Sequence, residues 1–364
     1  MAVAAAIDRT TTTGAERFKA ALAHREPDHI PIHDSPWGAT IDRWHHEGLS
    51  TAIPVAEHFG YELCGFGVDL SPRFPIRIVE RNDEYVVETT ADGGLRRNHR
   101  DRSTTPEVIE CGIRTREDWE RIKPRLEASV TRVNWVTLHN ELEKERADGK
   151  FITFNAAVGY DRFQSLVRSE ELLMAIAEDP DWVREMFLTH AELTIEMAKL
   201  VFAQGYRFDG AFLFCDLGYR NASLFSPRSY RQVQFESDRL LYDFFHGHDM
   251  PVILHSCGRV TGLIPQLIEA GLDCLQPLEV KAGMDLVDLK REFGRDLAFM
   301  GGIDVRAMSD PDPATIEDEI ARKFEVAMRG GGYIYHSDHS VPNNVSLAQY
   351  ERVMDLVRRY GTYA

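Results

Sequence analysis

Eight short apolar runs, each closed by polar residues and separated by amphipathic segments, constrain this chain more than any other feature. They are Ile30–Asp34, Glu62–Asp69, Phe151–Asn155, Asp209–Asp216, Pro251–Cys257, Asp273–Leu278, Leu297–Asp304 and Tyr333–Asp338. Most are apolar at consecutive positions, the pattern of strands covered on both faces in a parallel sheet. The segments between them carry helix punctuation. Ser226-Pro227 sets a capping residue before a proline at the first helical position and predicts a helix to about Gly247. Another helix is expected from about Pro313 to the breaker Gly330-Gly331-Gly332, and a short one over Gly14–Ala23, with Phe18, Ala21 and Leu22 at helical spacing. Repeated β–α units require parallel pairing through right-handed crossovers. Eight such strands predict an α/β fold of one particular kind, a single (β/α)8 TIM barrel over residues 14–364, preceded by a loose arm at 1–13. The stretch Ile76–Arg100 breaks the rhythm. Its alternation and its Asp92-Gly93-Gly94 turn predict a β-ribbon inserted near the barrel mouth. No G-x-G-x-x-G follows an early strand, which argues against a dinucleotide-binding fold.

The chain has 364 residues, enough for a full-sized core. Its 42 Lys+Arg against 58 Asp+Glu leave a formal net charge of −16. Such a surface repels a phosphate backbone, so no nucleic-acid partner is expected. No apolar run is long enough to span a bilayer and no secretory segment stands out, so neither a membrane partner nor export is expected. The five cysteines (Cys64, Cys111, Cys215, Cys257 and Cys274) are scattered and odd in number. Reduced thiols in a cytoplasmic protein are therefore the reading, and reduced thiols are free to bind metal.

In barrels of this kind the active site lies at the C-terminal ends of the strands. Here those ends carry His33-Asp34, Asp69, Asn155, Cys215-Asp216, His255-Ser256-Cys257-Gly258, Gln276, Asp304 and His336-Ser337-Asp338-His339. Side chains alternate faces along a strand, so His255 and Cys257 share one. An imidazole and a thiolate on one face suit Zn2+, with a third ligand to come from His339, His336, Asp338, Asp216 or Cys215. The plainer reading of an H-x-C pair, a hydrogen-bonded histidine beside a small buried thiol, stays open. Asp216, His339 and Asp69 are the candidates for acid–base or orienting roles. Asn155, Tyr219, Arg220, Gln276 and Asp304 are the candidate contacts to a small-molecule substrate.

Taken in order, several motifs resemble the uroporphyrinogen decarboxylase superfamily. They are Glu16-Arg17-Phe18-Lys19-Ala20-Ala21-Leu22, Glu26-Pro27-Asp28-His29-Ile30-Pro31, His255-Ser256-Cys257-Gly258, Gly301-Gly302-Ile303-Asp304 and Asp338-His339-Ser340-Val341-Pro342. The resemblance covers nearly the whole chain and implies the same barrel. True decarboxylases of that superfamily grip acidic substituents with paired arginines in an R-Q-A-G-R-like arm. The matching segment here, His33 to Thr40, has none. The other branch, corrinoid-linked methyltransferases, holds zinc through H-x-C and a later cysteine. His255 and Cys257 match its first two positions, and Asp338-His339 stands where the late cysteine belongs. The resemblance thus implies a zinc-dependent methyltransferase acting on a small methylated compound with a corrinoid-carrying partner protein, its metal held by His255, Cys257 and His339. A metal-free carboxy-lyase and a non-catalytic ligand-binding barrel are the alternatives. The oligomeric state is left open, a homodimer included.

Overall fold

The computed structural model describes residues 12–100 and 106–363. Most of the expected N-terminal arm, residues 1–11, lies outside the described residues.

Among the described residues, eleven strands form two sheets. The first is parallel and contains β1 (Leu63–Gly67), β6 (Phe151–Ala157), β7 (Gly210–Phe214), β8 (Val252–His255), β9 (Cys274–Gln276), β10 (Ala298–Met300) and β11 (Tyr333–Ile334), neighbours in that order. The second is antiparallel, with β2 (Ile78–Arg81), β3 (Tyr85–Thr89), β4 (Leu95–His99) and β5 (Glu107–Glu110) in sequence order. Helices fill the long connections of the parallel sheet.

The segment expected as the first strand, Ile30–Asp34, makes a single isolated bridge, Ile32 with Tyr335. Pro31 has no amide hydrogen, and the Ile32 amide donates to the Glu62 carboxylate (2.8 Å) instead of to a neighbouring backbone. The segment nevertheless touches both edges of the parallel sheet. On one side Tyr335 N–H donates to Pro31 O (2.9 Å) and His33 N–H to Tyr335 O (3.1 Å). On the other, Glu62 N–H donates to Ile32 O (2.8 Å) just before β1. A sheet whose two edges meet the same five residues must curl.

Alternation then sorts the strand residues. Ile152, Phe154, Leu213, Leu254, Leu275 and Phe299 pack outward among the helices. Leu63, Phe151, Phe212, Ile253, Cys274, Ala298, Met300 and Ile334 form a separate cluster inside the curl. The helix Gly14–Leu22 joins that inner cluster through Phe18, Ala21 and Leu22, with Phe18 stacked on Phe151 at 5.0 Å between centroids. Thr13 caps this helix reciprocally with Glu16, and Ala15 N–H donates to Gly149 O beside the start of β6 (2.8 Å). The helix therefore plugs the N-terminal end of the strands and leaves their C-terminal ends as the open face.

Two expectations are corrected in detail. The helix expected from Pro227 to Gly247 is two, Pro227–Val233 and Phe235–His246. They part at Gln234, whose buried amide accepts from Tyr160 N–H (3.2 Å) and donates to Asp238 (3.2 Å). The irregular stretch 76–100 contributes three strands of a four-stranded sheet that reaches Glu110. Its Asp92 turn is held by Arg162 of the helix Gly159–Val167, which follows β6.

Candidate active site at the strand ends

Strands β7 and β8 are in register, with Phe214 opposite His255, and their pairing continues past the strand ends. Cys215 N–H donates to His255 O (2.9 Å), Leu217 N–H to Ser256 Oγ (2.9 Å), and Gly218 N–H to Cys257 O (3.2 Å). Arg259 N–H closes the zip on Tyr219 O (2.8 Å). This requires glycine twice. A Cβ on Gly218 would lie 2.4 Å from Cys257 O, and one on Gly258, where φ is +76°, 2.4 Å from the Gly218 carbonyl carbon. Each letter of His255-Ser256-Cys257-Gly258 thus has a place: two side chains inward, one hydroxyl binding the next loop, one glycine for close approach. Gly258 N–H is in turn anchored on the buried Glu279 carboxylate (2.6 Å).

The zip delivers Asp216 to the H-x-C pair. Its Oδ1 accepts from Cys257 N–H (2.8 Å) and lies 3.5 Å from His255 Nε2, while Cys257 Sγ is 3.4 Å from that same nitrogen. Among the described residues, Asp216, His255 and Cys257 are the one group of three potential metal ligands, their donor atoms all within 4.8 Å of one another. All three side chains are half-buried. Burial, reinforced by the Asp216 charge, pushes the Cys257 thiol well above its ordinary range. Burial lowers the His255 pKa, opposed by Asp216.

Behind His255, Nδ1 bonds Gln276 Oε1 on the neighbouring strand, opposite it in register. Gln276 is buried, and its Nε2 lies 3.4 Å from His336 Nε2. The His336 ring spends Nδ1 on Ser337 O (2.7 Å) and places Nε2 3.2 Å from Ser35 Oγ. Beyond it, Asp34 is buried and accepts from Tyr350 OH (2.9 Å), Tyr335 OH (3.1 Å) and Ser337 Oγ.

The other candidates lie apart from this group. His339 is half-buried beside Trp37, 6.1 Å between ring centroids, and Trp37 is 48 % exposed. Asp338 accepts from Val280 N–H and Val305 N–H, both 2.9 Å, and so ties together the loops after β9 and β10; burial raises its pKa to about 6. Asp69 accepts from Ser71 Oγ (2.6 Å) and faces Arg73 (3.4 Å). Asn155, on the inner face of β6, accepts from Thr153 Oγ1 (2.8 Å). Tyr219 and Arg220 stand exposed on the rim. Asp304 caps the short helix Val305–Met308 and pairs with Arg306 (2.7 Å). Cys215 and Cys274 are wholly buried, and all five cysteines are free.

One neighbour was not singled out in the sequence. Asp161, on the first turn of the helix after β6, is carried to about pKa 6 by burial and by the charge of Asp216. Its signal is modest: a carboxylate two residues past a glycine that opens a helix, Gly159-Tyr160-Asp161.

A family model described as uroporphyrinogen decarboxylase (URO-D) matches residues 99–360, most of the chain and all of the site loops from β6 onward. The chain belongs to the uroporphyrinogen decarboxylase family. Among solved structures, this family member is similar to a methyltransferase from Methanosarcina mazei at 16 % identity and a TM-score of 0.67, covering 96 % of this chain and 99 % of that one. That likeness establishes a shared fold along the whole length. A B12-independent methionine synthase from Shewanella sp. W3-18-1 is also similar, at 13 % identity and a TM-score of 0.42, over 92 % and 93 % of the two chains. No curated protein matches the sequence. Among the described residues no helix is long and apolar enough to cross a membrane.

Proposed function

We propose that this family member is a zinc-dependent methyltransferase that moves a methyl group between a small methylated compound and a corrinoid carried by a partner protein. Residues 14–364 would act as one catalytic unit, with Ile30–Asp34 as the eighth strand of a closed (β/α)8 barrel. The observation that carries the reading is the convergence of three chemically different donors, Asp216, His255 and Cys257, within 4.8 Å. An N/O/S set of this kind fits Zn2+, with a fourth position left for substrate. The thiol supports the same reading. It lies in a half-buried site beside a carboxylate, where a thiolate needs a cation to be stable. The methyltransferase nature of a same-fold neighbour is in line with it.

Zinc bound there would supply Lewis acidity, lowering the pKa of an acceptor thiol or polarising a leaving heteroatom. The protein's own part is positioning. Cys257 N–H orients the Asp216 carboxylate, and Gln276 orients the His255 ring. Asp216 takes the third-ligand place that the sequence assigned to His339. His339 and Asp161, the latter accepting from the Gln164 amide, are then the groups left to orient substrate or move a proton. Asn155 on the inner wall and Tyr219 and Arg220 on the rim are proposed as substrate contacts, with Asp304 and Asp69 further out. The decarboxylase alternative lacks its charge complement. No arginine lies between His33 and Thr40, and the next one, Arg43, is engaged by Glu47 (2.7 Å) and Asn343 O (2.6 Å).

Metal analysis of protein purified without added zinc tests the reading. About one equivalent is expected in the wild type, and strong loss in Cys257→Ser and Asp216→Ala. Less than about a tenth of an equivalent in the wild type, or a content indifferent to both substitutions, would overturn it.

A further inference from the structure

The hydrogen-bond chain behind the cluster bears on a question that the three donors leave open: which nitrogen of His255 carries the proton. The chain starts at a group with no choice. Ser337 O can only accept, so the His336 nitrogen 2.7 Å from it, Nδ1, is the protonated one. In the neutral ring His336 Nε2 is then an acceptor, and Ser35 Oγ, 3.2 Å away, can donate to it. Gln276 comes next, with one end of its amide against the His336 ring, 3.4 Å from Nε2 and 3.5 Å from Nδ1. Ser337 O and Ser35 Oγ meet the two ring nitrogens and Asp34 Oδ1 lies 3.7 Å from Nδ1, so for the neutral ring the amide end facing it is the NH2 and the other end is the carbonyl. That carbonyl meets His255 Nδ1.

We infer that Gln276 is a positioning residue that holds His255 in its Nδ1–H tautomer and so presents the bare Nε2 lone pair to Asp216 and Cys257. The direction comes from the backbone carbonyl of Ser337 through His336. The reverse amide orientation would set an NH2 against His255 Nδ1 and force the ring proton onto Nε2, where it would block a metal. Gln276 is thus removed from the substrate contacts and made the partner that fixes a ligand's orientation and basicity, a role whose loss elsewhere costs 10–100-fold in metal affinity. Its register makes this possible: on adjacent parallel strands His255 and Gln276 are direct partners on the same inner face.

The inference deepens the zinc reading, yet its first measurement needs no metal. In metal-free protein with 15N-labelled histidine rings, two-bond proton–nitrogen correlation spectra should show His255 Nδ1 as the protonated nitrogen and Nε2 as the bare one. A ring protonated at Nε2 would overturn the proposal. Gln276→Leu should mix or reverse the tautomers and weaken Zn2+ or Co2+ binding by about 10–100-fold, with an altered Co2+ absorption spectrum. Gln276→Glu, which keeps the acceptor, should restore the tautomer and the affinity. A leucine variant with wild-type tautomer and affinity, its melting curve unchanged, would also overturn the proposal. Should the leucine variant fail to fold, the wild-type spectrum and the glutamate variant still decide. If the tautomer depends on Gln276 as stated but the wild type binds no metal, the positioning role stands and the zinc reading falls.

Discussion

At the scale of single residues, the site rests on places where only one side chain fits. Gly258 combines a left-handed φ with backbone packed against Gly218, so Gly258→Ala meets both conformational strain and a clash. It is expected to cost about 2–4 kcal/mol by urea denaturation and to lower metal content together with stability. A mild effect on both would mean that the two loops are not zipped as described. Asp238 offers a pH test outside the cluster, although its partner Gln234 also reaches Cys215 Sγ (3.3 Å), next to Asp216. Burial carries its carboxyl up to about 7, although Tyr230 OH and the Gln234 amide donate to it. The folded state therefore holds that proton more tightly than the unfolded chain does. Its contribution to stability is complete below the ordinary aspartate range and is lost as pH rises through about 7. Asp238→Asn keeps an acceptor for Tyr230 and removes the titration. It should be more stable than wild type at pH 8, on the order of 1–3 kcal/mol, with the difference shrinking toward pH 4. Equal stability of the two proteins across that range would contradict the assignment. Gly258 stood in the His255-Ser256-Cys257-Gly258 motif without a reason for being glycine, and Asp238 did not stand out at all, because a glycine's clash partner and an aspartate's burial both come from elements distant along the chain.

At the scale of elements, the apolar runs and their polar closures located the strand ends where the candidate site gathers, but not the limits of the strands themselves. Most of the assigned strands are shorter than the runs, although β6 (Phe151–Ala157) extends past its run. His255 ends β8, and Ser256, Cys257 and Gly258 belong to the loop beyond it. The first run shows why a pattern can be right about position and wrong about regularity. Ile30–Asp34 sits where a strand belongs, but Pro31 and the Glu62 side chain take away the ladder bonds that would make it one. The helix Gly14–Leu22 was visible from its apolar spacing, yet its task was not. It closes the lower end of the inner cluster with Phe18 against Phe151. Phe18→Ala should therefore behave as a core truncation and cost about 3–5 kcal/mol, measured as a shift in the urea midpoint at unchanged m-value. A loss below about 1 kcal/mol would mean that the helix only rests on the surface.

At the scale of the whole molecule, charge and the missing arginine arm point the same way. With a formal net charge of −16 and no arginine from His33 to Thr40, the protein is poorly matched to a polycarboxylate. Incubation with uroporphyrinogen should give no decarboxylated product. Turnover comparable to that of a true decarboxylase would return the lyase reading to first place. What the sequence determined by itself was the order of elements, the open end of the sheet and the membership of His255 and Cys257 in one face, because strand periodicity and chain order are local properties. The third member of the cluster was not local. Asp216 and His339 both close strands and both have suitable donors, and nothing along the chain ranks them. The ranking was made by tertiary structure. The backbones of Gly218 and Gly258 come close enough to zip β7 to β8, which brings Asp216 to His255, while His339 turns toward Trp37. The same holds for Gln276, whose meaning depends on which strand lies beside it and on which nitrogen its neighbour has left.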